Sequence, residues 1–158
     1  MSTIENYAGR YVDLTAYQNA KESGKTLLSQ EIFDNDGQGT ICTGVQKVAQ
    51  RFLIEFLTQK GSVTYFPDRG TTFIQQLRFG YLRTDQEIQT AFAEAASDIY
   101  KTLKDVESVN DPSDEKYRSA KLLSVATTSD SIQLTISIST EAGTSRQVIL
   151  PIATTLGI

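Results

Sequence analysis

Residues 44–77 read GVQKVAQRFLIEFLTQKGSVTYFPDRGTTFIQQL, and this stretch decides the fold. Val45, Val48, Ala49, Phe52, Leu53, Phe56 and Leu57 recur at the three- and four-residue spacing of one helical stripe. Gln46, Lys47, Gln50, Arg51 and Glu55 lie on the other side, where a solvated face is expected. The pattern predicts a core helix entered at Thr43, whose hydroxyl can accept from first-turn N–H groups. It is left through Lys60, a cation suited to the last turn, and Gly61, which can take the left-handed conformation that stops a helix. Ser62 to Gly70 then form an aromatic-proline turn. Pro67 fixes its own backbone and drives Phe66 toward an extended conformation, and Gly70 permits a positive backbone angle. Thr71 or Thr72 can cap a short helix carrying Phe73, Ile74 and Leu77. Tyr65 and Phe66 have two readings, a lid over the core or a patch facing a partner.

Beyond this stretch the period stays helical from Asp85 to Val106. Thr84 and Glu87 make a T-x-x-E capping box, and Ile88, Phe92, Ala95, Ile99, Leu103 and Val106 give a buried face. Asn110-Asp111-Pro112-Ser113-Asp114-Glu115 breaks the pattern and reads as a surface loop. The last third changes to period two. Ile132, Leu134, Ile136 and Ile138 alternate with polar residues, and so do Val148, Leu150 and Ile152, with Glu141-Ala142-Gly143-Thr144 as the hairpin turn between them. A third strand is expected around Leu123-Ser124-Val125. Pro151 cannot donate to a central ladder, so the final strand is expected at an edge. The fold class that follows is α+β, with helices packed on one face of a small antiparallel C-terminal β-meander. Residues 1–40 read as an extended N-terminal arm and 41–158 as a single α+β domain.

The arm is polar, with short apolar pieces at Tyr11-Val12-Asp13-Leu14 and Glu31-Ile32-Phe33. Asp34-Asn35-Asp36-Gly37-Gln38-Gly39 has part of the pattern of a calcium loop. The bidentate acid due about six residues past the glycine is missing, with Val45 and Gln46 near its place, so the run reads as a turn without metal.

Composition excludes more than it proposes. The 158 residues suffice for one domain with a real core, and no apolar run approaches the ~20 residues of a membrane span. Met1-Ser2-Thr3-Ile4-Glu5 lacks the basic start and apolar block of a signal peptide. Cys42 is the single cysteine, so no internal disulfide is expected; it reads as a small buried hydrophobe in a reducing compartment. There is no histidine, which removes the commonest general base and metal ligand together. No Gly-rich phosphate loop occurs. With 19 acidic and 15 basic residues and no basic cluster, nucleic acid is not the expected partner. No cofactor or metal is expected.

In order and spacing, three pieces resemble the baseplate wedge family of contractile phage tails, whose members act as sheath initiators and have relatives in type VI secretion baseplates. Leu53-Ile54-Glu55-Phe56-Leu57-Thr58-Gln59-Lys60-Gly61-Ser62 resembles the family's helix end. Phe66-Pro67-Asp68-Arg69-Gly70, with Leu77 seven residues on, resembles its turn and following helix. The capped helix and C-terminal meander resemble the rest of the domain. The chain departs from the family at Arg69, where an aromatic is usual, and at Val63 or Thr64, where a basic residue is usual. Asp98 to Lys104 lacks the family's Glu-Pro-Arg triplet, so no wedge-gripping residue is carried over.

The resemblance implies a non-enzymatic structural component of a virion tail baseplate, assembled in the host cytoplasm and present in multiple copies. Its partners would be the tail sheath protein, other wedge proteins and tail tube proteins, with neither nucleic acid nor membrane. It would template the sheath by offering a strand edge to the first sheath ring. On that reading Ile132, Leu134, Ile136 and Ile138 form the sheet's core face, and Gln147, Val148, Ile149, Leu150, Pro151 and Ile152 the pairing edge. Tyr65, Phe66 and Arg69 would face the wedge or the tube.

Two alternatives stand beside it. One is a baseplate part of a type VI or extracellular contractile injection system. The other is a peptidoglycan-degrading, lysozyme-like hydrolase, since some family members carry that label. A hydrolase needs two carboxylates roughly 5–9 Å apart across a cleft. Glu55 and Asp68 are the nearest candidates, but Glu55 is expected on the solvated helix face, where nothing would raise its pKa. Glu55→Gln is therefore expected to be silent.

Overall fold

A computed structural model describes residues 13–14, 17–19, 26–28 and 41–153. In the stretch expected as an arm, β2 (Tyr17–Asn19) pairs antiparallel with β3 (Thr26–Leu28), and β1 (Asp13–Leu14) pairs antiparallel with β4 (Ile41–Cys42) at the start of the expected domain. The Asp34–Gly39 cluster, the Glu31–Phe33 segment and the packing of the Cys42 side chain lie outside the described residues.

Three helices follow: α1 (Gly44–Leu57), α2 (Phe73–Arg78) and α3 (Asp85–Val106). A 3₁₀ turn at Ser113–Glu115 leads into β5 (Tyr117–Thr127), β6 (Ser131–Thr140) and β7 (Ser145–Ala153), an antiparallel sheet in the order β5-β6-β7. α1 packs on β6 and β7, and α3 packs on β5 and α1. The protein is thus the expected α+β arrangement, with helices on one face of a small C-terminal meander.

The core lies between these layers. Ile132, Leu134, Ile136 and Ile138 turn inward from β6, and Val148, Leu150 and Ile152 from β7, each buried. Opposite them an aromatic cluster joins the helices to the sheet. Phe52 stacks on Phe56 and on Tyr117, each at 5.9 Å between ring centroids, and Phe56 meets Phe73 at 4.8 Å and Phe92 at 5.6 Å. Such pairs add to the apolar burial that drives the packing.

α3 has the bounds its periodicity predicts, because both ends of the capping box close. Glu87 N–H donates to Thr84 Oγ1 at 3.2 Å, and Thr84 N–H to Glu87 Oε2 at 3.0 Å. Val106 departs from expectation: as the last helical residue it passes beyond the core and is exposed.

α1 departs more widely. Thr43 stands at the N-cap, but its side chain bonds none of the first-turn donors. Glu115 takes that place, its Oε1 accepting from Gly44 N–H at 3.0 Å while Oε2 pairs with Lys47 Nζ at 3.2 Å. The expected surface loop therefore sends an acid inward. Both side chains of this pair are buried, as are Gln50 and Glu55, so the face expected in solvent is largely covered. The helix also stops early. Thr58 turns extended and its N–H still bonds Ile54 O at 3.0 Å, while Gln59 bridges to Thr71. Lys60 lies past the end and pairs with Asp98 of α3 at 3.2 Å instead of serving the last turn. At the next helix Thr72 stands at the N-cap, but neither threonine's side chain bonds a first-turn N–H. Thr71 Oγ1 donates to Phe56 O at 3.0 Å, and Thr72 Oγ1 accepts from Gln76 Nε2 at 3.0 Å.

Candidate partner-binding surfaces

The turn from Ser62 to Gly70 is built on one buried acid. Glu55 is 2% exposed, and its Oε1 accepts from Arg69 Nε at 2.8 Å and from Arg69 Nη2. Its Oε2 accepts from Gly70 N–H at 3.2 Å. Between these anchors the backbone folds on itself, with Phe66 N–H bonded to Val63 O at 3.0 Å and Arg69 N–H to Phe66 O at 3.1 Å. Gly70 closes the turn at φ +90, and a Cβ there would meet Thr58 O at 2.4 Å. Only glycine fits so close an approach.

Anchored this way, the turn holds its aromatics outward. Tyr65 is 88% exposed and Phe66 59%, so neither is a core lid. Tyr65, Phe66 and Arg69 line one groove with Asp68 of the turn and with Asp105 and Val106 of α3, enclosing about 470 Å³. The three residues singled out in the sequence are therefore brought together. Asp68, Asp105 and Val106 line it as well, with Pro67 and Thr102. The signal for the first two was weak, since a lone exposed acid is the default reading of any aspartate.

The other expected surface is β7. Val148, Leu150 and Ile152 are buried in the core, whereas Gln147 and Pro151 are exposed and Ile149 is half-buried. Pro151 pairs in register with Gln133 on a strand at the sheet's edge, as its missing N–H requires. The β6–β7 register runs unbroken from Ser131↔Ala153 to Ser139↔Ser145. The opposite edge, β5, shifts register between Tyr117 and Ser119 and again between Leu122 and Ser124. Bulges of this kind blunt an edge against pairing. β3 comes within 8 Å of β7 between Cα atoms, and Ile149 at the middle of β7 already has a hydrogen-bonding partner, so the β7 edge is not open along its whole length.

As a hydrolase pair Glu55 and Asp68 are mismatched. Both Glu55 oxygens are engaged by Arg69 and Gly70, whereas the Asp68 carboxylate has no partner among the described residues. No cluster of metal-ligating side chains occurs among the described residues. None of their helices is long and apolar enough to cross a membrane.

Compared with protein-family models, curated proteins and solved structures, the chain matches none.

Proposed function

We propose that this protein is a structural component of a contractile tail baseplate, which templates sheath assembly by strand pairing along β7. The carrying observation is the contrast between the two sheet edges. β7 keeps one register over its whole length, whereas β5 is interrupted by two bulges. A strand added at β7 would gain main-chain bonds in a fixed register, and alternate side chains would supply specificity. The residues assigned to this pairing are Gln147 to Ile152, of which Gln147 and Pro151 are exposed, while Ile149 already has a hydrogen-bonding partner. The sheath protein is the proposed partner, and the tail baseplate of a virion the proposed location. The engagement of both Glu55 oxygens in holding the turn supports a non-catalytic role over the hydrolase reading.

Immunogold electron microscopy of particles from the native source, with an antibody to this chain, tests the proposal. Label at the tail end beneath the sheath is expected. Label on no particle, with the chain free in the lysate, would refute it.

A further inference from the structure

From Arg78, the last residue of α2, to Arg83 ahead of α3, the chain forms a knob whose Arg78, Phe79, Tyr81 and Arg83 are exposed while Leu82 packs against the core. Phe79 is 65% exposed and Tyr81 69%, their ring centroids 6.2 Å apart. The knob is held in shape. Gly80 reverses the chain at φ +74, Tyr81 N–H bonds Gln76 O at 3.0 Å, and Arg83 Nε donates to Gly80 O at 3.0 Å. Two exposed arginines thus flank two exposed aromatics, and the Arg78 guanidinium has no partner among the described residues.

The groove beside the 65–69 turn has the complementary chemistry. Tyr65, Phe66 and Val106 supply exposed apolar surface, and Asp68 and Asp105 stand beside them; Arg69 also lines the groove, its charge paired with Glu55. Neither carboxylate has a partner among the described residues. Knob and groove sit at opposite ends of α3, for the knob runs directly into its N-cap and the groove takes its last turn. At 1.5 Å per residue, Asp85 and Asp105 are about 30 Å apart along the helix. A knob this far from its own groove, and fixed in place, cannot fill it.

We propose that a second copy of this chain does so, the Arg78–Arg83 knob of one copy seating in the groove of the next. Arginine meets aspartate on both sides of an aromatic contact, a combination that supplies both steering and buried apolar anchors. Because the two surfaces differ, the contact is head-to-tail, and repetition gives a ring or an open helical row. This assigns Tyr65 and Phe66 a neighbour of the same chain in place of a wedge or tube protein. It uses no residue of the β7 edge, so it stands or falls separately from the sheath proposal.

The test is sedimentation of the purified full chain over a range of concentrations, at low and raised salt. Concentration-dependent association, weakened by salt, is expected. Asp68→Lys with Asp105→Lys, or Arg78→Glu with Arg83→Glu, should each weaken association roughly 100-fold or more. Circular dichroism and melting should stay unchanged for Asp68→Lys with Asp105→Lys, whose side chains are exposed; Arg83→Glu also removes the bond to Gly80 O, so Arg78→Glu alone is the fold-neutral knob variant. Mixing the two variants should restore association, because each reversed surface then meets its complement. A wild-type chain that stays monomeric throughout would overturn the proposal, as would variants that associate like wild type or a mixture that stays monomeric. Tyr81→Ala, which changes no charge, provides a second route: undiminished association would equally count against the knob.

Discussion

Arg69 reaches back 14 residues along the chain to grip Glu55, a helix residue buried beneath the turn that Arg69 closes. The guanidinium is half exposed and the carboxylate is not, so the pair fastens a surface turn to the core. Glu55→Gln should lower stability by about 2 kcal/mol, the scale of a hydrogen bond to a charged group. It should also expose the 62–70 segment to limited proteolysis. An unchanged urea midpoint and cleavage pattern would remove Glu55 from this role.

Gly70→Ala should be among the most damaging single-methyl additions in the chain. The new Cβ meets Thr58 O at 2.4 Å, whereas at Gly61, also at positive φ, nothing lies within 4 Å. Gly61→Ala then carries only the left-handed penalty of about 1–2 kcal/mol, and Gly70→Ala should exceed it clearly. Comparable melting temperatures for the two would contradict the close approach.

Glu115→Ala removes the acceptor for Gly44 N–H and leaves Lys47 buried without this carboxylate. Leaving the Gly44 donor without its acceptor and weakening the Lys47 contact should together cost about 1–3 kcal/mol. Thr43→Ala, whose side chain bonds no first-turn donor, should be nearly neutral as a cap change. Chemical denaturation of both variants distinguishes the two caps, and a larger loss at Thr43 would reverse the assignment.

The capping box of α3 predicts an acid-sensitive contribution. The Arg83 backbone N–H, and next that of Thr84, hold the Glu87 carboxyl below its ordinary value of 4.5. A folded-state value below the unfolded one means stability present above about pH 4.5 and lost as pH falls through the folded value. Wild type should therefore melt above Glu87→Gln near neutrality, with the gap narrowing in acid. A gap that does not depend on pH would exclude the charge as its source.

Gln147→Pro tests the pairing edge with little disturbance of the core. Gln147 and Pro151 lie on the same, outward alternation of β7, and the neighbours facing inward are Val148, Leu150 and Ile152. Electron microscopy of particles carrying the variant should find baseplates and tubes without polymerised sheath. Fully sheathed tails would end the β7 proposal.

These cases also show what a sequence makes legible. α3 could be read to its end residues because its capping signal is local, three residues across. The meander could be read because alternation directly reports which face is buried. Period places Glu55, Lys47 and Gln50 on the solvated face, whereas their burial depends on groups outside the helix, such as Arg69 and Glu115. The sequence did carry a hint at Glu55, an acid inside the run Leu53-Ile54-Glu55-Phe56-Leu57. The edges of the sheet were half legible. Pro151 placed β7 at one edge, but the β5 bulges leave no period signature.

The Glu115 cap also has a consequence for the order of events during synthesis. Gly44 and Glu115 are 71 residues apart, and a ribosome adding about 5–20 residues per second separates them by about 4–14 s. Throughout that interval the leading turn of α1 lacks its acceptor and Lys47 lacks this counter-charge. The helix most plainly written in the sequence is thus completed only after the sequence of all three helices has been translated.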